Sequence, residues 1–160
     1  IYSHCAGTAV AMQTINILEK QGNVISNYIT AGFIPSEKPH KRNGWNYTFK
    51  RSIQRKLIKA GAPIDKLSAE SKYSMVEKFR KDTDFLAEYF YKNVKPINAK
   101  TSVIISKTDI FTKNYMDVER LWKIRSNNFN KVHYIETNSH YFQTEKSDEV
   151  AQIIINSISE

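Results

Sequence analysis

The sequence contains one cysteine, Cys5, in 160 residues, which excludes a disulfide scaffold or a cysteine-rich zinc module within the chain. No run approaches the ~20 consecutive apolar residues that a membrane-spanning helix needs. The first residues also lack the charged and then apolar segments of a secretory signal. We therefore expect a cytoplasmic protein that has no membrane partner.

Acidic residues are also scarce. The chain has 16 Asp and Glu against 24 Lys and Arg, so its formal net charge at pH 7 is +8, which favours acidic partners. Hydrophobic residues make up 41% and aromatic residues 12% of the chain, which is enough to bury a core and excludes general disorder. We predict a single domain over residues 1–160.

Alternating strand and helix patterns predict an α/β protein with a parallel sheet and crossover helices. Apolar residues at helical spacing predict three helices, at Ala9–Lys20, Tyr115–Ile124 and Val150–Ile158. A short strand ends just before Cys5, and β-branched and aromatic runs predict three more strands, at Asn23–Phe33, Thr101–Ser106 and Lys131–Thr137. Residues of about 37–91 show only helical patterns, and we interpret this stretch as an insertion that forms a lid.

Polar side chains follow three of the predicted strands, at the ends where parallel α/β sheets place functional residues. Cys5 precedes the first helix, Asp109 follows a buried apolar run, and His140 follows the next strand. A nucleophile, an acid and a histidine in this chain order match the α/β-hydrolase triad. In such a triad His140 would take the thiol proton of Cys5, and Asp109 would hold the imidazole in the required tautomer.

The residues around Cys5 fit a tight turn from a strand to a helix. Ser3 and Gly7, two positions before and after it, are small and would let the strand and the helix approach each other. The helix that follows would direct backbone N–H groups, beginning with that of Ala6, at a developing oxyanion, and would favour a thiolate.

Each candidate also has a simpler structural interpretation. Cys5 could be a small buried apolar residue, Asp109 a helix cap, and His140 a loop histidine with one hydrogen bond. Their joint occurrence at strand ends, in the right order, favours catalysis. Three other histidines have no partner at metal-ligand spacing, and we interpret them as structural or exposed: His4, His40 and His133.

A basic run lies within the insertion. Eight Lys and Arg occur from Lys38 to Lys59, beside the single acid Glu37. The run could be a solvated helix face, a surface for nucleic acid or a docking surface for an acidic protein. We do not expect nucleic acid, because no nucleic-acid-binding signature accompanies the basic residues, and we favour the acidic protein. Four aromatic residues of the insertion could line a pocket or form the insertion's own core: Trp45, Phe49, Tyr73 and Phe79.

Together these motifs resemble the type II thioesterases of nonribosomal peptide and polyketide synthesis, which have the α/β-hydrolase fold. The family's elbow, Gly-His-Ser-Met-Gly, corresponds to Ser3-His4-Cys5-Ala6-Gly7, and its acid motif corresponds to VIISKTD, which ends at Asp109. Its histidine motif, Gly-Gly-His-Phe-Phe, corresponds to Asn138-Ser139-His140-Tyr141-Phe142, and its lid motif to Asp84-Phe85-Leu86-Ala87-Glu88-Tyr89.

The resemblance implies hydrolysis of acyl or aminoacyl thioesters on the phosphopantetheine arm of an acidic acyl or peptidyl carrier protein. It implies that Cys5 is the acyl-accepting nucleophile, His140 the general base and Asp109 its orienting partner. We expect no cofactor in the chain itself, because the phosphopantetheine belongs to the partner. The resemblance leaves the acyl group and the oligomeric state open.

Two departures from the family leave other functions open. Cys5 replaces the family's serine, and Ser3 replaces its first glycine. The strands that precede the elbow in the family are also absent before Ile1, so we expect sequence upstream; a loop among those strands supplies a second oxyanion donor, typically worth about 2.7–4 kcal/mol in the transition state. The alternatives are a non-catalytic carrier-docking module with a vestigial triad, and an acyltransferase or cyclase that uses the same triad.

Overall fold

The computed structural model describes residues 1–35, 47–92 and 95–159. Four parallel strands form one sheet whose spatial order follows the chain: β1 Tyr2–His4, β2 Asn27–Ala31, β3 Lys100–Ile105 and β4 Phe129–Tyr134. The helices are α1 Gly7–Lys20, α2 Tyr47–Lys59, α3 Ala69–Lys92, α4 Val118–Lys123, α5 Phe142–Glu145 and α6 Ser147–Ser159. The predicted α/β class and parallel sheet are confirmed.

Two predicted strands differ by two or more residues at each end from the strands in the structure. The chain from Asn23 to Ser26 is a connection and not part of β2: Asn23 is still bonded to the end of α1, and Val24 is 92% exposed. Gly32, with a φ of 64°, ends the strand. The last strand begins two residues earlier than predicted and leaves regular strand geometry after Tyr134.

The predicted helices need smaller corrections. The first helix begins at Gly7, two residues before the predicted start, and ends as expected beside Gly22, which has a φ of 84°. The segment predicted as one helix from Tyr115 is a 3-10 turn over Tyr115–Asp117 that continues into α4. No helix in the described parts of the chain is both long and apolar enough to cross a bilayer.

Side chains that alternate along the strands form a core on each face of the sheet. Tyr28 and Val103 belong to the core under α1, α3 and α4, whereas Ile29 and Ile104 belong to the core against α5 and α6. This is the two-residue period of a strand. β3 is buried along nearly its whole length, as its apolar sequence predicts for a parallel strand covered on both faces.

The parallel register brings the carboxyl ends of the strands to one edge. His4 is opposite Ala31, which is opposite Ile104, which in turn is opposite His133. The residues that follow these positions therefore meet at the same edge of the sheet. His133 itself is half-buried, 3.4 Å from the Ser157 hydroxyl, which agrees with a structural role.

Between β2 and β3 the described chain is helical, and it contains α2 and α3. These helices share a small core of their own, made of Ile53, Leu57, Ala62, Ile64 and Val76. The insertion therefore contains an apolar centre that is separate from the cores of the sheet. Its predicted bounds of 37–91 stay a prediction, since residues 36–46 lie outside the described residues.

Candidate active site

Cys5 occupies the turn between β1 and α1. Its φ is 50°, and no other described residue except glycine has a positive φ. A side chain in this left-handed region is strained by about 1–2 kcal/mol. The Cys5 N–H donates to the carbonyl oxygen of Ala31 at 2.9 Å, which ties the strained turn to β2. The thiol group therefore lies at the carboxyl edge of the sheet, where the sequence placed a nucleophile.

Position 7 does not need to be glycine for α1 to approach β1. A Cβ added to Gly7 would lie 3.9 Å from the Ser3 Cβ, which is an ordinary contact. The Ser3 hydroxyl lies 2.8 Å from the Tyr28 hydroxyl, and Thr8 lies 2.9 Å from Thr30 in the same buried group. Burial raises the pKa of Tyr28 to about 12, so its hydroxyl keeps its proton. The Ser3 hydroxyl is therefore satisfied by hydrogen bonds beneath the turn.

Asp109 and His140 form a buried pair. The Nδ1 atom of His140 lies 2.7 Å from Oδ2 of Asp109, and the two side chains are 4% and 0% exposed. The other carboxylate oxygen of Asp109 accepts the Phe111 N–H at 2.9 Å. Asp109 therefore accepts a backbone N–H of its own turn through one oxygen and contacts the His140 imidazole through the other; it caps that turn and not a helix. The backbone N–H of His140 donates to the Ala60 carbonyl oxygen at 2.9 Å, which anchors the loop around His140 to the insertion.

The protonation of His140 depends on its two neighbours. Burial alone would lower the pKa of His140, but the hydrogen bond to Asp109 and the hydrogen bonding and negative charge of Cys5 raise it to about 9. Nε2 is buried and has no hydrogen bond of normal geometry to the described residues, so its interaction with the thiol is loose in this arrangement. Catalytic hydrogen bonds are often long before substrate binds. With a thiolate at Cys5, the imidazole ring is therefore charged at neutral pH.

His4 is a second histidine at the site. Burial, and then repulsion from His140, lower the pKa of His4 to about 4, so its ring is neutral at pH 7. Its Nε2 lies 3.0 Å from the carbonyl oxygen of His140. Since a carbonyl oxygen only accepts hydrogen bonds, Nε2 of the neutral ring carries the hydrogen and donates it. His4 thus binds the backbone of His140, and the two ring centroids are 4.9 Å apart.

Gly32, directly after β2, leaves room for both histidine rings. A Cβ at this position would lie 2.7 Å from Nε2 of His4 and 3.1 Å from Cε1 of His140. Its φ of 64° also favours glycine. A side chain at position 32 would therefore displace the two rings.

Two cavities meet at Cys5 and His140. The first has a volume of about 220 Å³, and its remaining lining is apolar except for Thr83: Gly32, Phe33, Ile34, Phe79, Leu86, Ala87, Phe90 and Phe111. The second, of about 260 Å³, lies on the side of Ala6 and Gly7 and is also lined by Lys78 and Asp82. Phe79 belongs to both walls. Cys5 therefore has an apolar space on one side and a partly charged space on the other.

The structure brings together Cys5, Asp109 and His140, and Ala6 lies next to them at the start of α1. Of the four aromatic candidates from the insertion, Phe79 lines the cavities and Tyr73 is 57% exposed. Trp45 and the side chain of Phe49 lie outside the described residues, as does His40.

Sequence reasoning did not identify His4 and Gly32 as site residues. Position 4 directly precedes the candidate nucleophile, and Gly32 directly follows a strand at the same sheet edge. The rule that placed Cys5, Asp109 and His140 at strand ends points to both positions, but not to the contacts that they make.

The chain matches no protein-family profile and no curated protein sequence. Its fold is similar to that of the type II thioesterase BorB from the borrelidin biosynthetic cluster, with a TM-score of 0.68 and 15% identity over 98% of this chain and 64% of BorB. It is also similar to SrfTE, the thioesterase domain that cyclises the lipopeptide surfactin, with a TM-score of 0.61 and 16% identity over 99% of this chain and 66% of that domain. A laboratory-evolved variant of the potato epoxide hydrolase StEH1 gives a TM-score of 0.60, at 12% identity over 99% of this chain and 68% of the enzyme.

These likenesses show that the chain has the α/β-hydrolase fold, as the sequence predicted. The chain spans less than two thirds of the length of BorB and SrfTE. The similar structures include a type II thioesterase and an epoxide hydrolase, and one fold can support several chemistries. The function must therefore be argued from the site.

Proposed function

We propose that this chain carries the catalytic groups of a thioesterase that hydrolyses acyl or aminoacyl groups from the phosphopantetheine arm of a carrier protein. The observation that carries the proposal is the buried His140–Asp109 pair, 2.7 Å apart, beside a cysteine in a strained strand-to-helix turn. The thioesterases of the same fold support it. Because the chain spans less than two thirds of BorB, the activity is proposed for the protein that contains it.

In the first step the Cys5 thiolate attacks the thioester carbonyl carbon. The bond from that carbon to the phosphopantetheine sulfur breaks, and the His140 imidazolium gives its proton to the departing thiolate, which leaves as the thiol. The acyl group is then held on Cys5 as a new thioester. The Ala6 N–H, at the start of α1, donates to the oxyanion that forms on the way.

In the second step His140, now neutral, accepts a proton from a water molecule that attacks the acyl group on Cys5. The carbon–sulfur bond breaks, the carboxylic acid leaves, and the thiolate–imidazolium pair is restored. Asp109 holds Nδ1 through the 2.7 Å hydrogen bond, so that Nε2 is the nitrogen that exchanges protons. The site needs no cofactor of its own for these steps.

The partner surface that we propose lies on α2. Its sequence, Tyr47–Lys59, contains five Lys and Arg and no acid, and Arg55, Lys56 and Lys59 are exposed. An acidic carrier protein would be attracted to this face, mainly through a faster association rate.

A second candidate function is acyl transfer or cyclisation. In SrfTE, a structural neighbour, the thioesterase domain cyclises a lipopeptide. The same acyl-Cys5 intermediate would then be attacked by an amine or hydroxyl group instead of water. Addition of amine acceptors distinguishes the two, because only transfer yields amide products.

The test uses the full-length protein and an acyl carrier protein loaded with an acyl group. We expect Cys5→Ala and His140→Ala each to lower the release of free acid by at least about 10³-fold, measured by mass spectrometry of the carrier. His133→Ala, which removes a histidine outside both cavities, is the matched control. Unchanged turnover in both variants would refute the proposal. A wild-type protein that neither hydrolyses nor transfers, and whose Cys5 alkylates no faster than glutathione, is instead a docking module.

A further inference from the structure

The described wall of the first cavity offers a ligand almost no polar side chain. α3 contributes one face of its helix at three- and four-residue spacing: Phe79, Thr83, Leu86 and Phe90. The Thr83 hydroxyl already donates to the Phe79 carbonyl oxygen at 2.7 Å. The Thr83 oxygen can still accept a hydrogen bond, so Thr83, Cys5 and His140 are the side chains of this described wall that can meet a polar group.

Charged side chains lie on the other side of the nucleophile. Lys78 and Asp82 line the second cavity, together with Ala6, whose N–H is the proposed oxyanion donor. A ligand joined to Cys5 therefore meets apolar surroundings in one direction and charged groups in the other. The first cavity, of about 220 Å³, is larger than the 150 Å³ apolar cavity that binds benzene, and by the same ratio it holds about nine carbon atoms.

We propose that the first cavity selects uncharged acyl chains of about six to ten carbons and rejects aminoacyl groups. This inference rests on the proposed function, because it assigns the acyl part of the same thioester, and it narrows the acyl or aminoacyl groups proposed there to acyl groups. Each methylene that leaves water for an apolar wall favours binding by about fourfold. An α-ammonium group would lose its hydration there without meeting a carboxylate, since Asp82 lines the second cavity only.

A test that needs no turnover uses Cys5 itself as the reporter, because it is the only cysteine in the chain. Alkyl methanethiosulfonates react with a thiolate to form a mixed disulfide and release methanesulfinate. Rates for the octyl, methyl and aminoethyl reagents are measured on the full-length protein by mass spectrometry of the peptide that contains Cys5, each relative to its rate with glutathione. We expect the octyl reagent to be at least about 30-fold faster than the aminoethyl reagent on this scale.

Ala87→Trp places a large side chain in the wall of the first cavity. We expect it to slow the octyl reagent most and the methyl reagent least. Ala69→Trp, the same change at an exposed position on the same helix, should leave the preference for octyl as it is in the wild-type protein. Retention of the wild-type preference in Ala87→Trp would overturn the assignment of this cavity.

The wild-type measurement decides the proposal even if Ala87→Trp fails to fold. Equal relative rates for the octyl and aminoethyl reagents would overturn it. A preference for aminoethyl that is lost in Asp82→Asn would also overturn it, and would place the acyl group in the second cavity. Hydrolysis of octanoyl and alanyl N-acetylcysteamine thioesters separates the two levels of inference. Equal turnover of both refutes the selectivity alone, whereas octyl-selective labelling without any hydrolysis refutes the thioesterase alone.

Discussion

Substitution of Gly32 by alanine tests whether the close approach of the two histidine rings matters for the site. The new Cβ would lie 2.7 Å from Nε2 of His4, and ordinary contacts begin at 3.4 Å. The His4 ring must therefore retreat by about 0.7 Å, and Cε1 of His140, at 3.1 Å, must also move. Because a misplacement of about 1 Å can lower the rate by about 10²-fold, we expect turnover of the acyl carrier substrate to fall by about 10- to 100-fold.

Gly22→Ala is a matched control for the strain in the backbone. Gly22 also has a left-handed φ, 84° against 64°, but a Cβ there meets nothing within 4 Å. The conformational penalty of about 1–2 kcal/mol is therefore shared by the two variants, whereas the clash belongs to Gly32→Ala alone. For a domain of this size Gly22→Ala should lower the Tm by about 2–8 °C, with turnover unchanged at temperatures well below the Tm.

The assays are thermal unfolding, turnover, and the rate of Cys5 alkylation by iodoacetamide. Gly32→Ala should lose more stability than Gly22→Ala and should alkylate more slowly, because a displaced His140 no longer supports the thiolate. Equal losses of Tm in the two variants, together with unchanged alkylation and turnover in Gly32→Ala, would refute the reasoning. The rings would then have room to move without consequence for the site.

Three further predictions concern Asp109, the protonation of the two histidines, and Tyr28. Asp109→Asn should lower turnover by about 10³–10⁴-fold, because an amide can donate to Nδ1 and favour the wrong tautomer of His140; near-normal turnover would contradict the assigned role. The free energy of unfolding, measured with urea at a series of pH values, tests the two histidines. The folded pKa of His140, about 9, exceeds the ordinary 6.5, so its stabilisation should be fully present below pH 6.5 and disappear as the pH rises through 9. His4 has a folded pKa of about 4, below 6.5, so its stabilisation should be present above pH 6.5 and disappear as the pH falls through 4. If either pH dependence persists in the variant that lacks the histidine concerned, His140→Gln or His4→Gln, it belongs to another group. Tyr28→Phe should lower the free energy of unfolding by about 1–3 kcal/mol, since the Ser3 hydroxyl loses its closest partner, and Ser3→Ala in the same chain should restore part of this loss.

The sheet could be predicted from the sequence because β3 is a nearly continuous apolar run and because β-branched and aromatic residues mark β2 and β4. Thr101–Ser106 differs from the observed β3 by one residue at each end. The prediction was weaker at Asn23–Phe33, where a β-rich composition extends over a connection. Residues such as Val24 favour strands, but the structure leaves Val24 exposed, because the α1 end still binds this part of the chain. Composition alone does not show where the pairing of strands begins.

The candidate site was predictable for a different reason. Cys5, Asp109 and His140 follow strands, and a parallel sheet collects the residues that follow its strands at one edge. Contacts that depend on side-chain orientation were beyond the pattern. His4 belongs to β1, so its position alone does not show whether its ring reaches the carbonyl oxygen of His140. Gly32 has no side chain, and its role is visible only from the atoms that a Cβ would meet.

The two histidines explain each other's protonation. Their ring centroids are 4.9 Å apart, so if both carried a charge they would repel each other by about 3 kcal/mol at an effective dielectric constant near 20. Of the two, only His140 has a hydrogen bond to Asp109, 2.7 Å long, and with a thiolate at Cys5 the proton stays on that ring. His4 then remains neutral, and a neutral ring needs only one acceptor for its N–H, which the His140 carbonyl oxygen supplies at 3.0 Å. With a thiolate at Cys5, the positive charge therefore lies on His140, which lines both cavities, where a departing thiolate would need a proton.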